Sequence, residues 1–260
     1  MKYTKHFEVM SLDVDMNNHV RPSSFFRYMQ ETADHQMRDR KPSYMELLES
    51  GKSLILTRMS LEIYHQLEEY DEIDVSTWRC PDLRATYRRC YDITRSGEIC
   101  AAAYSEWALV SVEDRKILPT SAADFSSFEE DGLLDLSIPK RFHFPKDLPF
   151  EEAGVRHVDY ELVDMNSHLN NTRYPDLLFG LIPGIVNQEV TSLNVRFMKE
   201  ALLGKDIRID RAEPEVSFAG DPAAERAAAF QSYVDGHKNI EAVFGLRTIQ
   251  DTGRFRQVRK

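Results

Sequence analysis

A short polar pattern occurs twice in this chain and constrains its fold more than any other feature. The sequence DMNNHV occupies residues 15–20, and DMNSHL occupies residues 164–169. Asp, Asn and His recur in register at a spacing of 149 residues. Polar residues gather in many loops, so one copy alone would say little. A second copy in register indicates two copies of one fold.

The spacing within the pattern predicts where its side chains point. Asp164, Asn166 and His168 stand at every second position, and the first copy has the same spacing. In an extended segment, alternate side chains project to the same side. We therefore expect the three polar groups of each copy to converge on one cavity.

The length and composition suit two globular domains. A chain of 260 residues can form two domains of about 100 to 150 residues each. Its 42% hydrophobic and 29% charged residues are typical of folded proteins. It has no run of about 18 apolar residues, and residues 1–6 lead into no apolar signal segment. We therefore expect a cytoplasmic protein without a membrane-spanning segment.

The cysteine pattern argues against a metal site, and the net charge argues against nucleic-acid binding. Cys80, Cys90 and Cys100 are odd in number and lack CxxC spacing, so structural thiols are expected and no metal or other cofactor. A formal net charge of −10 argues against general nucleic-acid binding, because phosphates would be repelled over most of the surface. An acidic partner would need a local basic patch. The candidates, otherwise ordinary solvated charges, are Arg79, Arg84, Arg88, Arg89, Arg95, Arg254, Arg256, Arg259 and Lys260.

The first half is predicted to form a loop, a helix and then an antiparallel sheet. Pro22 can begin a helix, and an apolar stripe follows at every fourth residue through Phe25, Met29, Ala33 and Met37. The stripe predicts a buried face that is either core or the lining of a pocket for a hydrocarbon ligand. Alternating and β-branched segments predict strands at 54–64, 73–78, 85–93 and 99–110, with a hairpin turn at 95–98.

The second half repeats this order. An apolar segment with Pro175 near its start ends near Pro183 and Gly184, and a hairpin turn is predicted at 235–236. Strands are predicted at 190–198, 206–211, 226–234 and 239–247. The segment between the halves carries four prolines and predicts a connector that wraps across the surface. We predict an N-terminal repeat at residues 1–130, a connector at 131–150 and a C-terminal repeat at 151–260.

The second copy of the pattern resembles the signature of the acyl-ACP thioesterases. Residues 164–171 read DMNSHLNN and Tyr174 follows, which is similar to that family's D-x-N-x-H-x-N-N-x-x-Y motif. Segments at 58–63, 73–78, 97–99 and 105–107 resemble the family's first-half strands. Residues 196–201, RFMKEA, resemble the strand that carries its catalytic glutamate. The resemblance covers nearly the whole chain. Because no plant-type transit peptide precedes it, the chain looks like a bacterial version.

The resemblance implies a fold, an active site and a reaction. The implied fold is α+β, a tandem hotdog in which each repeat wraps an antiparallel sheet around a long central helix and the two sheets join back to back. The implied catalytic residues are Asp164, Asn166, His168 and Glu200. Ala201 stands where some members have a cysteine, which excludes a cysteine nucleophile there. The implied reaction is hydrolysis of fatty acyl-ACP at the end of fatty acid synthesis, with acyl carrier protein and a fatty acyl chain as partners.

These residues match the needs of thioester hydrolysis. A thioester has an electrophilic carbonyl and a good thiolate leaving group, so hydrolysis needs an activated nucleophile and a stabilised oxyanion. We expect Glu200 or Asp164 to act as base on water or to attack as a carboxylate, while Asn166 and His168 orient the reacting groups. The asparagines at 170–171 would cap the following helix, and their backbone N–H groups could also face an oxyanion.

The first copy lacks part of this set. Aligning Ile73 with Ile207 places Gln66 opposite Glu200, and a glutamine cannot act as a base. Arg21-Pro22 also replaces the two asparagines, which removes a backbone donor. We therefore predict a degenerate first site that is retained for structure or that shapes the acyl pocket.

Two classes of protein are alternatives to an acyl-ACP thioesterase: other enzymes with the hotdog fold, and non-catalytic acyl-binding modules. The hotdog fold also occurs in acyl-CoA thioesterases and hydroxyacyl dehydratases, and comparing acyl-ACP with acyl-CoA turnover separates these. A non-catalytic acyl-binding regulatory module is the other alternative, although Glu200 would have no purpose in it. Because acyl carrier protein is acidic, Arg88 and Arg89 become candidates for its docking surface. The tandem repeat already supplies the pairing that single hotdog proteins obtain by dimerising, so a homodimer is left open.

Overall fold

The computed structural model describes residues 2–249 and contains one continuous antiparallel sheet. In the described part of the first half, the elements are β1 (Tyr3–Glu8), α1 (Pro22–Asp39), α2 (Tyr44–Glu49), β2 (Lys52–Ile63), β3 (Glu72–Leu83), β4 (Thr86–Arg95), β5 (Glu98–Ser111) and β6 (Ile117–Leu118). In the second half they are β7 (Glu151–His157), α3 (Tyr174–Phe179), β8 (Gln188–Phe197), β9 (Asp206–Ala212), β10 (Arg226–Val234) and β11 (His237–Thr248). These elements agree with the predicted α+β class.

The two repeats are joined side by side through β2 and β8. The strand order is β1-β3-β4-β5-β2-β8-β11-β10-β9-β7, and β6 pairs with β5. At the junction Met59 lies opposite Val195, and Leu61 lies opposite Leu193. Each strand would otherwise be an edge with unpaired N–H and C=O groups, and their mutual pairing satisfies these groups. The expectation that the sheets join back to back is therefore wrong.

Helix α1 is the long central helix of the first repeat. Pro22 occupies its first turn, where a missing N–H is harmless, and the predicted stripe of Phe25, Met29, Ala33 and Met37 is buried throughout. The first three belong to the main apolar core, which contains residues of both repeats. Ala33 and Met37 also line a cavity, so the stripe serves both of the predicted roles. In residues 2–249 no helix is long and apolar enough to cross a membrane.

The central helix of the second repeat is much shorter than the resemblance implies. Helix α3 has six residues and follows a 3-10 turn at Asn171–Arg173. Gly180 ends it, because glycine weakens a helix, and the N–H groups of Leu181 and Ile182 bond only three residues back. Pro183 then disfavours the helical conformation of the residue before it. The long apolar stretch therefore forms one short helix followed by turns.

The segment between the repeats covers the outer face of the sheet. Residues 123–150 contain neither strand nor helix. They are fixed by hydrogen bonds to the sheet: Trp78 Nε1 donates to Gly132 O at 2.8 Å, and the N–H of Ile138 donates to Glu62 Oε1 at 2.7 Å. Leu136, Ile138 and Phe142 are buried there. The segment is thus an ordered cover over the strands near the junction.

Candidate active site

The second copy of the polar pattern forms a tight turn. The N–H of Asp164 donates to His168 O at 2.9 Å, and the N–H of Ser167 donates to Asp164 O at 2.9 Å. Ser167 has a φ of 60°, which closes the turn. The prediction of an extended segment is therefore wrong, because a reversal of the chain brings residues 164 and 168 opposite each other. Asp164, Asn166 and His168 nevertheless all line the same cavity.

The Asp164 carboxylate organises this turn. Its Oδ1 accepts a hydrogen bond from the N–H of Asn166 at 2.8 Å. Asp side chains commonly stabilise turns in this way, by accepting from the backbone two residues on. The same bond occurs in the first copy, where Asp15 Oδ1 accepts from the N–H of Asn17 at 2.7 Å. Asp164 therefore has a structural contact that a free catalytic base would not need.

Backbone pairing brings His168 beside Glu200. The N–H of Leu169 donates to Ala201 O at 2.8 Å, and the N–H of Leu203 donates to Ser167 O at 3.1 Å. These two bonds dock the turn on the segment that follows β8. As a result His168 Nε2 lies 3.4 Å from Glu200 Oε2, and both side chains are partly exposed. The sequence-predicted residues at 164, 166, 168 and 200 thus meet at one cavity wall.

Two residues of the first repeat complete this wall. Arg115, in the turn between β5 and β6, contacts Glu200 Oε2 through Nη2. The Tyr44 hydroxyl, at the start of α2, donates to Asn166 Oδ1 at 3.3 Å. Neither residue has a local motif that marks it in the sequence. The site is therefore built from both repeats, although its polar pattern belongs to the second.

Asn239 holds the segment that carries Glu200, although no motif in the sequence marks it. Its carbonyl oxygen accepts the N–H groups of Met198 and Lys199 at 2.9 and 3.1 Å, and its side-chain amide donates to the carbonyl of Lys199. The amide also donates to the hydroxyl of Tyr174 at 2.9 Å. Burial raises the pKa of Tyr174, and the Glu200 carboxylate acts in the same direction. Tyr174, which belongs to the family motif, is the one member of this hydrogen-bonded group that the sequence marks.

The two asparagines after the turn have different surroundings. Asn170 Oδ1 accepts from the N–H and the hydroxyl of Thr172, both at 2.9 Å. This is the predicted capping contact, made to the 3-10 turn that precedes α3. Asn170 and Asn171 both also line the cavity. The capping prediction is confirmed for Asn170.

The cavity that these residues line has a volume of about 1100 Å³. It extends from Glu200 between α1 and the sheet of the first repeat. Its lining is largely apolar and includes Met37, Leu54, Leu56, Tyr87, Trp107, Ala108, Phe125, Phe128 and Phe197. A large, mostly apolar cavity with a few polar groups at one place is typical of a small-molecule or cofactor site.

The first copy of the pattern has the same turn but a different environment. The N–H of Val20 donates to Leu67 O at 2.8 Å, as Leu169 does to Ala201, so Gln66 is the positional equivalent of Glu200, as predicted. Gln66 donates to Val190 O at 2.8 Å. His19 Nδ1 lies 3.4 Å from Glu189 of the second repeat. Of the two patterns, only the second lines the described cavity.

The basic residues of the first half do not form one patch. Arg88 and Arg89 are neighbours on β4 and so project to opposite faces of the sheet. Arg89 contacts Gln36 of α1, and Arg88 Nε donates to Pro81 O at 2.6 Å. Both arginines line the cavity. Arg79 and Arg95 pair with acidic residues. The candidates at 254, 256, 259 and 260 lie outside the described residues.

The described residues contain no cluster of three or more His, Cys, Asp or Glu side chains that could hold a metal ion. Cys80, Cys90 and Cys100 are buried free thiols, and all three lie in strands. The Sγ atoms of Cys80 and Cys90 are 3.2 Å apart. Near Glu200 the described cavity wall carries carboxylate, imidazole and amide side chains.

Two models of protein families match this chain, one in each half. Models of the acyl-ACP thioesterase N-terminal and C-terminal domains match residues 1–123 and 146–239. No curated protein matches the chain.

Solved structures with the same fold include three thioesterases. An acyl-ACP thioesterase from Bacteroides thetaiotaomicron is 18% identical, with a TM-score of 0.81 over 94% of this chain and 97% of that one. A putative oleoyl thioesterase from Lactobacillus plantarum is 16% identical, with a TM-score of 0.82 over 96% and 97%. A 12:0-ACP thioesterase from Umbellularia californica is 15% identical, with a TM-score of 0.79 over 95% and 94%. These similarities confirm the tandem hotdog fold.

The family models account for most of the chain and fall on its two repeats in order. The conserved activity of that family is hydrolysis of the thioester of fatty acyl-ACP, which a cavity with apolar walls and a carboxylate–imidazole pair suits. The chain belongs to the acyl-ACP thioesterase family.

Proposed function

We propose that Glu200, His168, Asn166 and Asp164 form the active site with which this thioesterase cleaves fatty acyl-ACP. The observation that carries the proposal is the 3.4 Å contact between His168 Nε2 and Glu200 Oε2 on the cavity wall. The equivalent residues of the first repeat, His19 and Gln66, make no such contact in the described structure. A carboxylate beside an imidazole is a common arrangement for acid–base catalysis.

Glu200 is the residue to which we assign the general base. Its Oε2 contacts His168 and Arg115, whereas Oε1 has no partner among the described residues. Oε1 is therefore available to take a proton from a water molecule as the water oxygen bonds to the thioester carbon. The C–S bond then breaks, the carrier's thiol leaves with a proton, and the fatty acid is released. Asp164 serves this step by holding the turn.

Asn166 and His168 are assigned to orientation and charge stabilisation. Because Asn166 Oδ1 accepts from Tyr44, its Nδ2 is left as a donor toward the cavity. A preorganised donor of this kind stabilises the negative charge that develops on the thioester oxygen. His168 holds Glu200 from one side while Arg115 holds it from the other. Each of the four residues thus has a separate role.

Glu200→Gln is the sharpest test of this assignment. The substitution preserves shape but removes the base, so kcat for acyl-ACP should fall by roughly 10²- to 10⁴-fold with little change in unfolding temperature. Gln66→Glu is the matched control, because it adds a carboxylate at the equivalent position of the first repeat. The control should leave kcat unchanged. Full activity in Glu200→Gln would reject the assignment of Glu200 as the base, whereas a wild-type protein that binds acyl-ACP without cleaving it would favour the non-catalytic acyl-binding module.

A second experiment determines whether the enzyme prefers acyl-ACP or acyl-CoA and which acyl chain length it prefers. Turnover should be measured with saturated acyl-ACPs of increasing length and with the matching acyl-CoAs. We expect acyl-ACP to have the higher kcat/KM at the preferred length. A higher kcat/KM for acyl-CoA would assign the protein to the acyl-CoA thioesterase alternative.

We further propose that the reaction ends fatty acid synthesis in the cytoplasm, because acyl-ACP is an intermediate of that synthesis. We also propose the division into an N-terminal repeat at 1–130, a connector at 131–150 and a catalytic C-terminal repeat at 151–260. The absence of helix and strand from residues 131–150 supports these boundaries. Hydrogen bonds from the segment to Trp78 and Glu62 support its role as a cover rather than a third domain.

A further inference from the structure

Six exposed apolar residues lie at the catalytic end of the cavity. Five of them line the cavity, and the sixth, Leu202, forms a β-bridge with His168. Each of the six is between 38% and 75% exposed. We call this group the rim: Met45, Val112, Ile117, Met165, Met198 and Leu202. A single exposed apolar residue is ordinary, but several at one opening are typical of an interaction site.

The rim residues of the second repeat flank the proposed catalytic residues. Met165 directly precedes Asn166, and Met198 and Leu202 stand two residues before and two residues after Glu200. Asn166 and Glu200 line the same cavity as Met165 and Met198. This part of the rim therefore lies beside the groups that act on the thioester.

The rim residues of the first repeat lie beside the two side chains that reach the proposed active site from that repeat. Met45 follows Tyr44 in α2. Val112 and Ile117 stand on either side of Arg115 in the chain. Both repeats therefore contribute to one apolar border of the catalytic end.

The segment that carries Glu200 differs in charge from its equivalent in the first repeat. Residues 199–203 read KEALL, whereas residues 65–69 read HQLEE. Glu68 and Glu69 therefore stand where the second repeat has two leucines, one of them the rim residue Leu202. Two carboxylates at the first pattern are thus replaced by apolar side chains at the catalytic end.

The other charges near the two patterns also favour an acidic partner at the second one. Each pattern lies beside one glutamate, Glu189 or Glu200, and each of these glutamates contacts an arginine. The turn at residues 113–116 reads EDRK and adds no net charge. Lys199 is exposed and makes no ion pair within residues 2–249. An acidic protein surface is therefore repelled at the first pattern and finds an available cation at the second.

We propose that the rim is the surface on which acyl carrier protein docks, with Lys199 as a contact for its acidic side chains. The inference rests on the proposed function, because it assumes that the thioester is cleaved at Glu200. The acyl chain is bound covalently to its carrier, so the carrier must approach the catalytic end of the cavity. Exposed methionines suit such a surface, because their flexible side chains adapt to a partner. Opposite charges speed the encounter, while apolar contacts supply affinity.

Binding of a non-hydrolysable amide analogue of acyl-ACP tests this surface without depending on catalysis. Leu202→Glu and Met45→Glu each place a carboxylate in the rim, so the Kd of the analogue should rise by roughly tenfold. The Kd of the matching acyl-pantetheine amide, which lacks the carrier protein, should stay within about twofold of the wild-type value. Met16→Glu is the matched control, because Met16 is an exposed methionine outside the cavity. The control should leave both Kd values unchanged.

The sign of the introduced charge provides a second test. Met45→Lys should bind the acyl-ACP analogue more tightly than Met45→Glu at low ionic strength. The difference should shrink at high ionic strength, because salt screens exposed charges. Equal Kd values for these two variants at low ionic strength would contradict docking of an acidic carrier on the rim.

The outcomes separate the inference from the proposed function. An unchanged Kd for the acyl-ACP analogue in both Leu202→Glu and Met45→Glu would overturn the inference, and if one variant does not fold, the other decides. An equal rise for the acyl-pantetheine amide would also overturn it, because the rim would then bind the substrate without its carrier. Weaker binding to phosphatidylglycerol vesicles with an unchanged Kd for the analogue would overturn it in favour of a lipid surface. A wild-type protein that binds the analogue but leaves acyl-ACP intact would reject the proposed function alone.

Discussion

Glu200 and Gln66 occupy equivalent positions in the two repeats, and only Glu200 can take a proton from water. The sequence predicts this equivalence, because the strand after Gln66 and the strand after Glu200 align without a gap. The backbone bonds to Ala201 and Leu67 confirm it. The contact between Glu200 and His168 could be expected only through the family motif, because it depends on how the turn docks after β8.

Asn239 is an example of a site residue that the sequence alone does not identify. Its amide supports Lys199 and Tyr174, while the first repeat has Cys100 at the equivalent place, where the N–H groups of Tyr64 and His65 bond its carbonyl. Asn239, Arg115 and Tyr44 reach the site from distant parts of the chain. A single sequence carries no signal for such contacts unless a motif includes them.

Asn239→Cys should therefore impair catalysis by loosening Glu200. We expect kcat to fall by roughly tenfold or more while KM changes little, with a loss of about 1–3 kcal/mol in unfolding free energy from unsatisfied buried groups. Ser232→Ala is the matched control, because Ser232 donates to Asn239 Oδ1 at 2.8 Å but does not touch the Glu200 segment. An equal fall in kcat in the two variants would mean that only stability is affected.

Asp34 should make stability depend on pH. Because its pKa is raised to about 6 from an ordinary 3.8, the folded protein binds more protons than the unfolded chain between these values. Stability therefore falls as pH rises through that window. Asp34→Asn should raise the unfolding temperature at pH 8 relative to wild type, and by less at pH 4. Glu49→Gln is the control, because Glu49 is exposed on α2 and is not one of the groups that shift the pKa of Asp34. An identical pH dependence in wild type and Asp34→Asn would contradict this assignment.

Among the elements, the turn of the polar pattern is common to both repeats. In each copy the aspartate accepts from the N–H of the asparagine two residues on, and the residue before the histidine has a positive φ. The alternate spacing of these residues predicts an extended segment, whereas the structure has a turn. Asx turns and strands both place polar residues at alternate positions, so spacing alone does not separate them.

Asp164→Asn and Asp164→Ala separate the structural role of this aspartate from a catalytic one. Asparagine keeps the side-chain oxygen that accepts from the N–H of Asn166, so activity should stay within about tenfold of wild type. Alanine loses that bond and should lower kcat by roughly 10²-fold through disorder of the turn. Steady-state kinetics on acyl-ACP would check both. Equal and severe losses would instead make Asp164 a catalytic carboxylate.

The strands were predicted better than the helices. Long alternating segments with Gly-containing hairpin turns predicted β2 to β5 and β8 to β11, and Ser96-Gly97 and Asp235-Gly236 have the expected positive φ values. Strands β1, β6 and β7 and helix α2 have no counterpart among the predicted elements, and β6 is only two residues long. β1 and β7 are polar edge strands that pair on one side only, and α2 has six residues. Such short or polar elements are stabilised by tertiary contacts that the local sequence does not reveal.

At the scale of the whole molecule, each polar pattern lies where one repeat meets the other. The second pattern contacts Tyr44 of the first repeat, Arg115 of the first repeat contacts the neighbouring Glu200, and the first pattern contacts Glu189 of the second repeat. The cavity opens at only one of these two places in the described structure. The two similar folds therefore differ in what they contribute: the first repeat lines most of the described cavity, and Glu200, the proposed base, belongs to the second.

We expect this duplicated fold to have one active site, and variants of the two equivalent histidines test that expectation. His168→Ala and His19→Ala should be compared by kcat for acyl-ACP hydrolysis, with unfolding temperatures as a check on folding. We predict that His168→Ala lowers kcat by roughly 10²-fold or more, because Glu200 loses its neighbour, while His19→Ala keeps kcat near that of wild type. Equal losses of kcat in the two folded variants would contradict the account.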